Sequence, residues 1–128
     1  SNFTQYILKS MIKNKKGSIL YISSSSALDG NEGRSSYSSA KGALITQSKV
    51  LSRELGPLNI RVNTIAPGLT NTDMMRENTP KEILKDVLSR VALRRVGEPD
   101  EIANVALLLS SDLSTYITGQ VIRVDGGM

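Results

Sequence analysis

Helix-like and strand-like segments alternate along this chain, and that alternation is the feature that most constrains its fold. Short runs rich in β-branched residues, at 19–22, 60–66 and 121–124, are separated by longer segments in which apolar residues recur at helical spacing. Strands separated by helices cannot pair as hairpins, so we expect a parallel sheet with right-handed crossovers. The fold class predicted is α/β.

The helix-like segments are bounded by residues that break or open helices. Gly56-Pro57 follows the segment over 36–55, and Pro99 stands at a position that proline favours in the first turn. Glycines at positions 30 and 33 predict a loop over 27–34. The helices predicted from apolar spacing run over 4–14, 36–55, about 80–89 within the stretch 69–97, and onward from Pro99.

The composition excludes several classes of chemistry. The 128 residues contain no Cys and no His, which excludes thiolate nucleophiles, Ser-His-Asp triads and metal sites built on either residue. We therefore expect no metal. No apolar run reaches the ~18 residues of a membrane span and no secretory signal pattern occurs, so we expect a cytoplasmic protein without membrane association.

The net charge of +4 raises the hypothesis of nucleic-acid binding. Lys13, Lys15 and Lys16, however, stand at the end of a predicted helix, where cations complement the helix dipole. One Phe and no Trp offer little for base stacking. We expect no nucleic-acid partner; such a partner would require binding that falls steeply with salt.

Tyr37 and Lys41 are four residues apart in a predicted helix, which places them on one face about one turn apart. A phenol is a poor acid–base group at neutral pH because its unperturbed pKa is about 10, and a neighbouring ammonium favours the phenolate. The pair therefore suits acid–base chemistry without histidine. The alternative interpretation is an ordinary surface pair on a helix.

Ser24 lies at the carboxyl end of the first predicted strand, thirteen residues before Tyr37. A hydroxyl there can hold a carbonyl oxygen while Tyr37 gives that oxygen a proton. Ligands of open α/β sheets collect beyond the carboxyl ends of the strands, where the polar stretches 67–72 and 125–127 also fall. The alternative interpretation is that the serines at 23–26 form a simple polar loop.

Three stretches of the sequence resemble a known family. They are ILYISSSSALDGNEGRSSYSSAK, IRVNTIAPGLTNTDM and ALRRVGEPDEIANVALLLSSDLSTYITGQVIRVDGGM, in this order. Their order and spacing are similar to those of the short-chain dehydrogenase/reductase family, and closest to the classical branch that includes the 3-oxoacyl-acyl-carrier-protein reductases. The resemblance covers nearly the whole chain. It implies an NAD(P)-dependent oxidoreductase that interconverts a carbonyl and a secondary alcohol, with 3-oxoacyl-acyl-carrier-protein reduction as a candidate reaction.

The resemblance also implies the catalytic residues. Tyr37 matches the family's acid–base residue. Lys41 matches the residue that favours ionisation of the tyrosine and binds the nicotinamide ribose, and Ser24 matches the serine that orients the substrate. Ser25 and Ser26 do not fit that spacing.

Further positions match the family's cofactor-binding segment. Pro67 and Gly68 match a turn that packs against the nicotinamide, and glycine permits close backbone approach. The backbone at Thr70 matches the segment that bonds the carboxamide. Thr72 matches a hydroxyl that reaches the cofactor phosphates, and it can also cap the next helix. The stretch 73–90 resembles the mobile substrate loop. The implied cofactor is NADP or NAD, with NADPH favoured.

The family's amino-terminal elements have no counterpart in this sequence. The turn Thr-Gly-x-x-x-Gly-x-Gly, which holds the pyrophosphate, does not occur, nor does the Asn-Asn-Ala-Gly stretch. We therefore expect residues 1–128 to form a partial domain without the nucleotide-binding half. It would be the carboxyl half of a doubly wound Rossmann-type parallel sheet, three strands with flanking helices. We expect this half to be unstable as a lone monomer, since its first strand would keep an unpaired edge.

Partners follow from the same resemblance. The substrate would be a carbonyl compound, either a small molecule or one bound to acyl-carrier protein, and the last strand with its preceding helix implies a homo-oligomer, a tetramer or a dimer. The alternative function is a catalytically inactive fragment, or an oligomerisation or interaction module of the same fold, which the missing Gly-rich turn favours.

Overall fold

Helices and strands alternate in the structure as they do in the sequence. A computed structural model describes residues 2–30 and 33–128. The helices are α1 (Asn2–Asn14), α2 (Ser26–Asp29), α3 (Ser35–Leu55), α4 (Asp73–Asn78), α5 (Lys81–Arg90) and α6 (Pro99–Ser110). The strands are β1 (Gly17–Ile22), β2 (Ile60–Pro67) and β3 (Val121–Val124), and short 3₁₀ turns cover Gly56–Leu58 and Asp112–Ser114.

The three strands form one parallel sheet in the order β1-β2-β3. Ile19 is the register partner of Val62, and Ile65 is the partner of Ile122. The central strand β2 carries four of the eight buried apolar residues in the described part of the chain, as expected for a strand covered on both faces. The predicted three-strand parallel α/β fold is therefore confirmed.

The two faces of the sheet are covered by different helices. Val62 belongs to a buried cluster against which Met11 of α1 and Leu51 of α3 pack. Arg61, on the opposite face of β2, donates to the carbonyl oxygen of Leu109 in α6. The connection from β1 to β2 through α3 and the connection from β2 to β3 through α6 step in the same direction across the sheet. Because α3 and α6 cover opposite faces, the two crossovers have opposite handedness. The expectation that both crossovers are right-handed is therefore wrong for one of them.

The predicted loop over 27–34 is also partly wrong. The segment begins with the one-turn helix α2, because the amides of Leu28 and Asp29 both donate to the Ser25 carbonyl. Gly30 ends this turn in the left-handed region, with φ at 67°, which glycine adopts without strain. Residues 31 and 32 of the predicted loop lie outside the described residues.

Among the described helices, none combines the length and the apolar character that a membrane crossing requires. The feature that positions a site is instead the carboxyl edge of the sheet. There β1 runs into the serines at 23–26, β2 runs into Pro67-Gly68, and β3 runs into Asp125.

Candidate active site

A cleft of about 740 Å³ opens at the carboxyl ends of β1 and β2. Its walls come from the serine segment after β1, the start of α3, and the stretch from the end of β2 to the end of α5. The sequence-predicted residues that line it are Ser24, Tyr37, Pro67, Gly68, Thr70 and Thr72. Lys41 is the one predicted site residue that does not line the cleft directly.

The serines after β1 face different surroundings. The Ser23 hydroxyl donates to the Lys41 carbonyl at 2.8 Å, which ties the end of β1 to α3. The Ser25 amide donates to the Pro67 carbonyl at 3.0 Å, which ties the same segment to the end of β2. Ser24 is half-buried at the cleft. The run is therefore an ordered connection with distinct roles rather than a simple polar loop.

Ser24 is held by its neighbour Ser26. Their hydroxyl oxygens are 3.0 Å apart, and the Ser26 amide donates to the Ser24 hydroxyl at 3.3 Å. A hydroxyl has one proton and two lone pairs. When the buried Ser26 hydroxyl donates as well, Ser24 accepts both bonds and its own proton is available to a ligand in the cleft.

Tyr37 lies in the first turn of α3 and lines the cleft, and 42% of its surface is exposed. The Lys41 Nζ is 5.8 Å from the centroid of its ring, and it donates to the Ile22 carbonyl at 3.4 Å. Lys41 therefore bridges the end of β1 and the Tyr37 ring, which is not the behaviour of a free surface pair.

A second cation lies over the same ring. The guanidinium carbon of Arg34 is 4.8 Å from the ring centroid of Tyr37, within the range of a cation–π interaction. Sequence reasoning missed this residue. The signal was present, since a residue three positions before Tyr37 at a helix start shares its face.

Gly68 is required by its close approach to the end of β3. A Cβ on Gly68 would lie 2.6 Å from the Cβ and 2.8 Å from the Cα of Asp125, while the Gly68 amide donates to the Val124 carbonyl at 2.9 Å. The close approach that the structure shows at Gly68 is therefore to Asp125. Its approach to a nicotinamide stays a prediction.

The two threonines after this turn shape the segment that leads to α4. The Thr70 hydroxyl donates to the Gly68 carbonyl at 3.0 Å, and Thr70 forms an isolated parallel bridge with Gly97. The Thr72 hydroxyl accepts from the Met75 amide at 3.1 Å, so the predicted helix cap is confirmed. The Thr72 hydroxyl still has its proton to offer.

The stretch 73–90 forms the helices α4 and α5, which wall the outer side of the cleft. Apolar side chains dominate this wall, with Met74 and Ile83 more than half exposed. Arg90 stands at its end and pairs with Asp86 at 3.2 Å. The wall suits an apolar ligand with polar or anionic groups near the cleft mouth.

Comparisons with known proteins show which family the chain is similar to. The sequence model of the family described as enoyl-(acyl carrier protein) reductase matches residues 1–128. The chain is similar to the 3-oxoacyl-[acyl-carrier-protein] reductase FabG of Thermotoga maritima, 44% identical over 127 residues that cover 99% of this chain and 51% of that protein. It is similar to FabG of Chlamydia trachomatis, 49% identical over 130 residues with the same coverage.

The chain is also similar to a solved structure of a 3-oxoacyl-[acyl-carrier protein] reductase. The crystal structure of a 3-oxoacyl-[acyl-carrier protein] reductase from Brucella melitensis superposes with a TM-score of 0.89 at 33% identity, covering 99% of this chain and 47% of that one. The fold and the polar edge of the sheet define the class as a Rossmann-type α/β protein. The chain belongs to the short-chain dehydrogenase/reductase family, as the sequence resemblance implies. It spans about half the length of the curated relatives it matches.

Proposed function

We propose that this chain carries the substrate and proton-transfer half of an NAD(P)-dependent oxidoreductase that interconverts a carbonyl and a secondary alcohol. The observation that supports it is the convergence of three side chains at one sheet edge. Ser24 and Tyr37 open onto one cleft, and Lys41 spans from the Ile22 carbonyl to the Tyr37 ring. Each matches a functional position of the family by spacing.

We assign to Tyr37 the transfer of the proton to and from the substrate oxygen. In the reducing direction its hydroxyl gives a proton to the substrate oxygen, and in the oxidising direction its phenolate takes that proton back. The phenolate carries a negative charge, and the cations of Arg34 and Lys41 over the ring offset it. Reduced nicotinamide, when bound, supplies the hydride that the carbonyl carbon receives.

Ser24 is assigned to orient the substrate oxygen. The Ser26 amide donates to the Ser24 hydroxyl. When the Ser26 hydroxyl is also the donor in their shared hydrogen bond, both lone pairs of Ser24 are used and its own proton is free for the substrate oxygen. The hydrogen bond it gives to the carbonyl oxygen strengthens as negative charge develops there.

The residues present fit a nicotinamide cofactor. Lys41 uses one hydrogen bond on Ile22 and keeps further donors for a ribose, while Thr72 keeps a proton for a phosphate oxygen. Pro67, Gly68 and the backbone at Thr70 are assigned to the nicotinamide by the family resemblance. We assign NADP or NAD, with NADPH favoured.

We further propose that residues 1–128 form a partial domain and that the nucleotide-binding part of the site lies outside them. The relatives are about twice as long, and the sequence contains no Gly-rich pyrophosphate turn. Within the described residues, β1 pairs only with β2, so its other edge can receive a further strand.

The substrate proposed is a 3-oxoacyl group carried by acyl-carrier protein, or a small-molecule carbonyl compound of similar shape. The apolar wall formed by Met74, Met75 and Ile83 suits an acyl chain, and Arg34 and Arg90 suit an acidic carrier. A homo-oligomer, tetramer or dimer, and a cytoplasmic location complete the proposal.

The test is turnover of the complete natural protein that carries this chain. With NADPH and a 3-oxoacyl thioester, we expect oxidation of the cofactor, and Tyr37→Phe should lower kcat by about 10³-fold while cofactor binding persists. Tyr116→Phe, at a fully exposed tyrosine, is the matched control. Reduction of a trans-2-enoyl thioester but not of the ketone would contradict the proposal and favour the reaction named in the family description. Near-normal turnover in Tyr37→Phe would refute the role of Tyr37.

The second candidate is a catalytically inactive fragment, or an oligomerisation or interaction module. The observation that favours it is the absence of the Gly-rich turn from the sequence. The intact mass of the purified natural protein separates the candidates. A mass of about twice 13.9 kDa together with NADPH binding supports the enzyme. A mass of 13.9 kDa without NADPH binding supports the module.

A further inference from the structure

Arg123 connects two segments of the candidate site that are far apart in sequence. It lies in β3, and its Nη2 donates to both carboxylate oxygens of Asp29, at 2.8 and 3.0 Å. Its Nε donates to Asp125 at 3.0 Å. Its register partner on the central strand is Ala66, which is fully buried and small, so the long Arg123 side chain can pass over the end of β2.

The Asp29 side of this connection leads to the substrate serine. Asp29 is the last residue of α2, and Ser26 is the first. Ser26 in turn donates its amide to the Ser24 hydroxyl and shares a hydrogen bond with it. A shift of α2 therefore moves both groups that orient Ser24.

The Asp125 side leads to the turn assigned to the nicotinamide. The Asp125 side chain is nearly buried, and it lies against the face of Gly68 where any larger residue would place its Cβ. Burial raises the pKa of Asp125, but hydrogen bonds from Arg123 and from the amides of Gly127 and Met128 outweigh burial and lower it overall. The carboxylate is therefore held in its charged form, as a fixed partner for Arg123.

We propose that Arg123 is a positioning residue that holds the Ser24 segment and the Pro67-Gly68 turn at a fixed separation across the reacting atoms. The inference rests on the proposed function, since it assigns Arg123 a role in that site. The Arg123–Asp29 pair differs from an ordinary surface pair. One guanidinium serves two carboxylates, its contact with Asp29 is bidentate, and the Asp125 side chain is only 8% exposed. Arg123 and Asp29 themselves are exposed residues, with 34% and 32% of their side-chain surface accessible.

Substitutions of Asp29 and of Asp125, the two partners of Arg123, should change different kinetic constants of the complete natural protein. Asp29→Asn is isosteric and loosens only the Ser24 side, so we expect kcat to fall about 10-fold with the KM for NADPH unchanged. Asp125→Asn loosens the Gly68 side, so we expect the KM for NADPH to rise. Asp112→Asn is the control, since Asp112 pairs with Lys16 at the opposite end of the sheet.

A double-mutant cycle separates positioning from a general loss of stability. If Asp29 acts through Ser24, Asp29→Asn should lower kcat in the wild-type background and cause no further loss in the Ser24→Ala background. If Asp29→Asn lowers kcat equally in both backgrounds, or in neither, the inference is overturned. A large loss of kcat in Ser24→Ala alone would still leave the proposed function standing. If Ser24→Ala leaves kcat unchanged, the assignment of Ser24 and the inference built on it both fail.

Discussion

The two ends of the central strand β2 are both rich in polar groups, but they use them differently. At the amino end, the Arg61 guanidinium donates to the carbonyls of Leu109 and Ser111 at 2.8 and 3.1 Å and to the Ser114 hydroxyl at 2.9 Å. At the carboxyl end, Ser24 and Tyr37 face an open cleft. The Arg61 donors at the amino end are all directed within the chain, whereas Ser24 and Tyr37 at the carboxyl end also line a cleft that a ligand can enter.

Cavity volume agrees with this difference, since the cleft of about 740 Å³ at the carboxyl end is the larger of the two cavities. A cavity of about 330 Å³ also lies at the amino end, lined by Lys16, Arg61 and Asp112 among others. Its partly buried cation, however, is already used, since Arg61 caps the carbonyls that end α6. Lys16 forms an exposed pair with Asp112 at 3.4 Å. Substitutions at the two ends should therefore change different measured quantities.

The largest effect is expected from Lys41→Met at the carboxyl end. The change removes the ammonium that lies between Ile22 and the Tyr37 ring but keeps most of the aliphatic stem. We expect kcat of the complete natural protein to fall by about 10³-fold, which is ~4 kcal/mol, with little change in the free energy of unfolding. Lys49→Met, on an exposed part of the same helix, is the control. Equal losses of activity in the two variants would contradict a specific role of Lys41 at the carboxyl end.

The next largest effect is expected from Arg61→Met at the amino end, and it is an effect on stability. The carbonyls of Leu109 and Ser111 and the Ser114 hydroxyl would lose a charged donor in a partly buried setting. We expect the free energy of unfolding to fall by about 3 kcal/mol, measured by urea denaturation, with kcat at saturating substrate unchanged. Arg53→Met, exposed on α3, should leave both quantities unchanged. A drop in kcat without a drop in stability would assign Arg61 to the site instead.

A smaller effect on both quantities is expected from Gly68→Ala, because Gly68 joins the carboxyl edge to β3. The new Cβ would stand 2.8 Å from the Cα of Asp125, so the turn must shift. We expect a loss of about 1–3 kcal/mol in stability and a higher KM for NADPH. Gly42→Ala in α3 meets nothing within 4 Å and should raise stability slightly, by roughly 0.5–1 kcal/mol. An unchanged KM in Gly68→Ala would separate this turn from cofactor binding.

Local signals explain what the sequence could predict in this fold. The strands, the helix opened by Pro99 and the cap at Thr72 each depend on residues within a few positions of one another. The helix α2 was missed because the glycines at 30 and 33 favour a loop, although one turn fits before the first of them. Local signals alone therefore resolve elements of several turns better than a single turn.

Long-range interactions explain what could not be predicted. The pair of Arg123 and Asp29 joins residues 94 positions apart, and no local pattern links them. The opposite hands of the two crossovers depend on which face of the sheet α6 covers, which Arg61 and Leu109 reveal only in three dimensions. The placement of Ser24, Tyr37 and Lys41 near one another was predictable because their spacing along α3 and from β1 is itself a local pattern, whereas their catalytic roles stay a prediction.

The smallest effect is expected at Glu101, in the first turn of α6 and outside both ends of β2. A hydrogen bond from Arg95, and then one from the Glu98 amide, lower the pKa of Glu101 from its ordinary 4.5 to about 2. A lowered pKa in the folded state means that the charged group stabilises the fold above pH 4.5 and that this stabilisation is lost as the pH falls toward 2. The Tm difference between wild type and Glu101→Gln should therefore be small but constant above pH 4.5 and should shrink toward pH 2, while kcat stays unchanged. Asp100→Asn, at the neighbouring exposed position, is the control. A Tm difference that grows as the pH falls would contradict the assigned ion pair, because protonation would then be strengthening an interaction that requires the carboxylate.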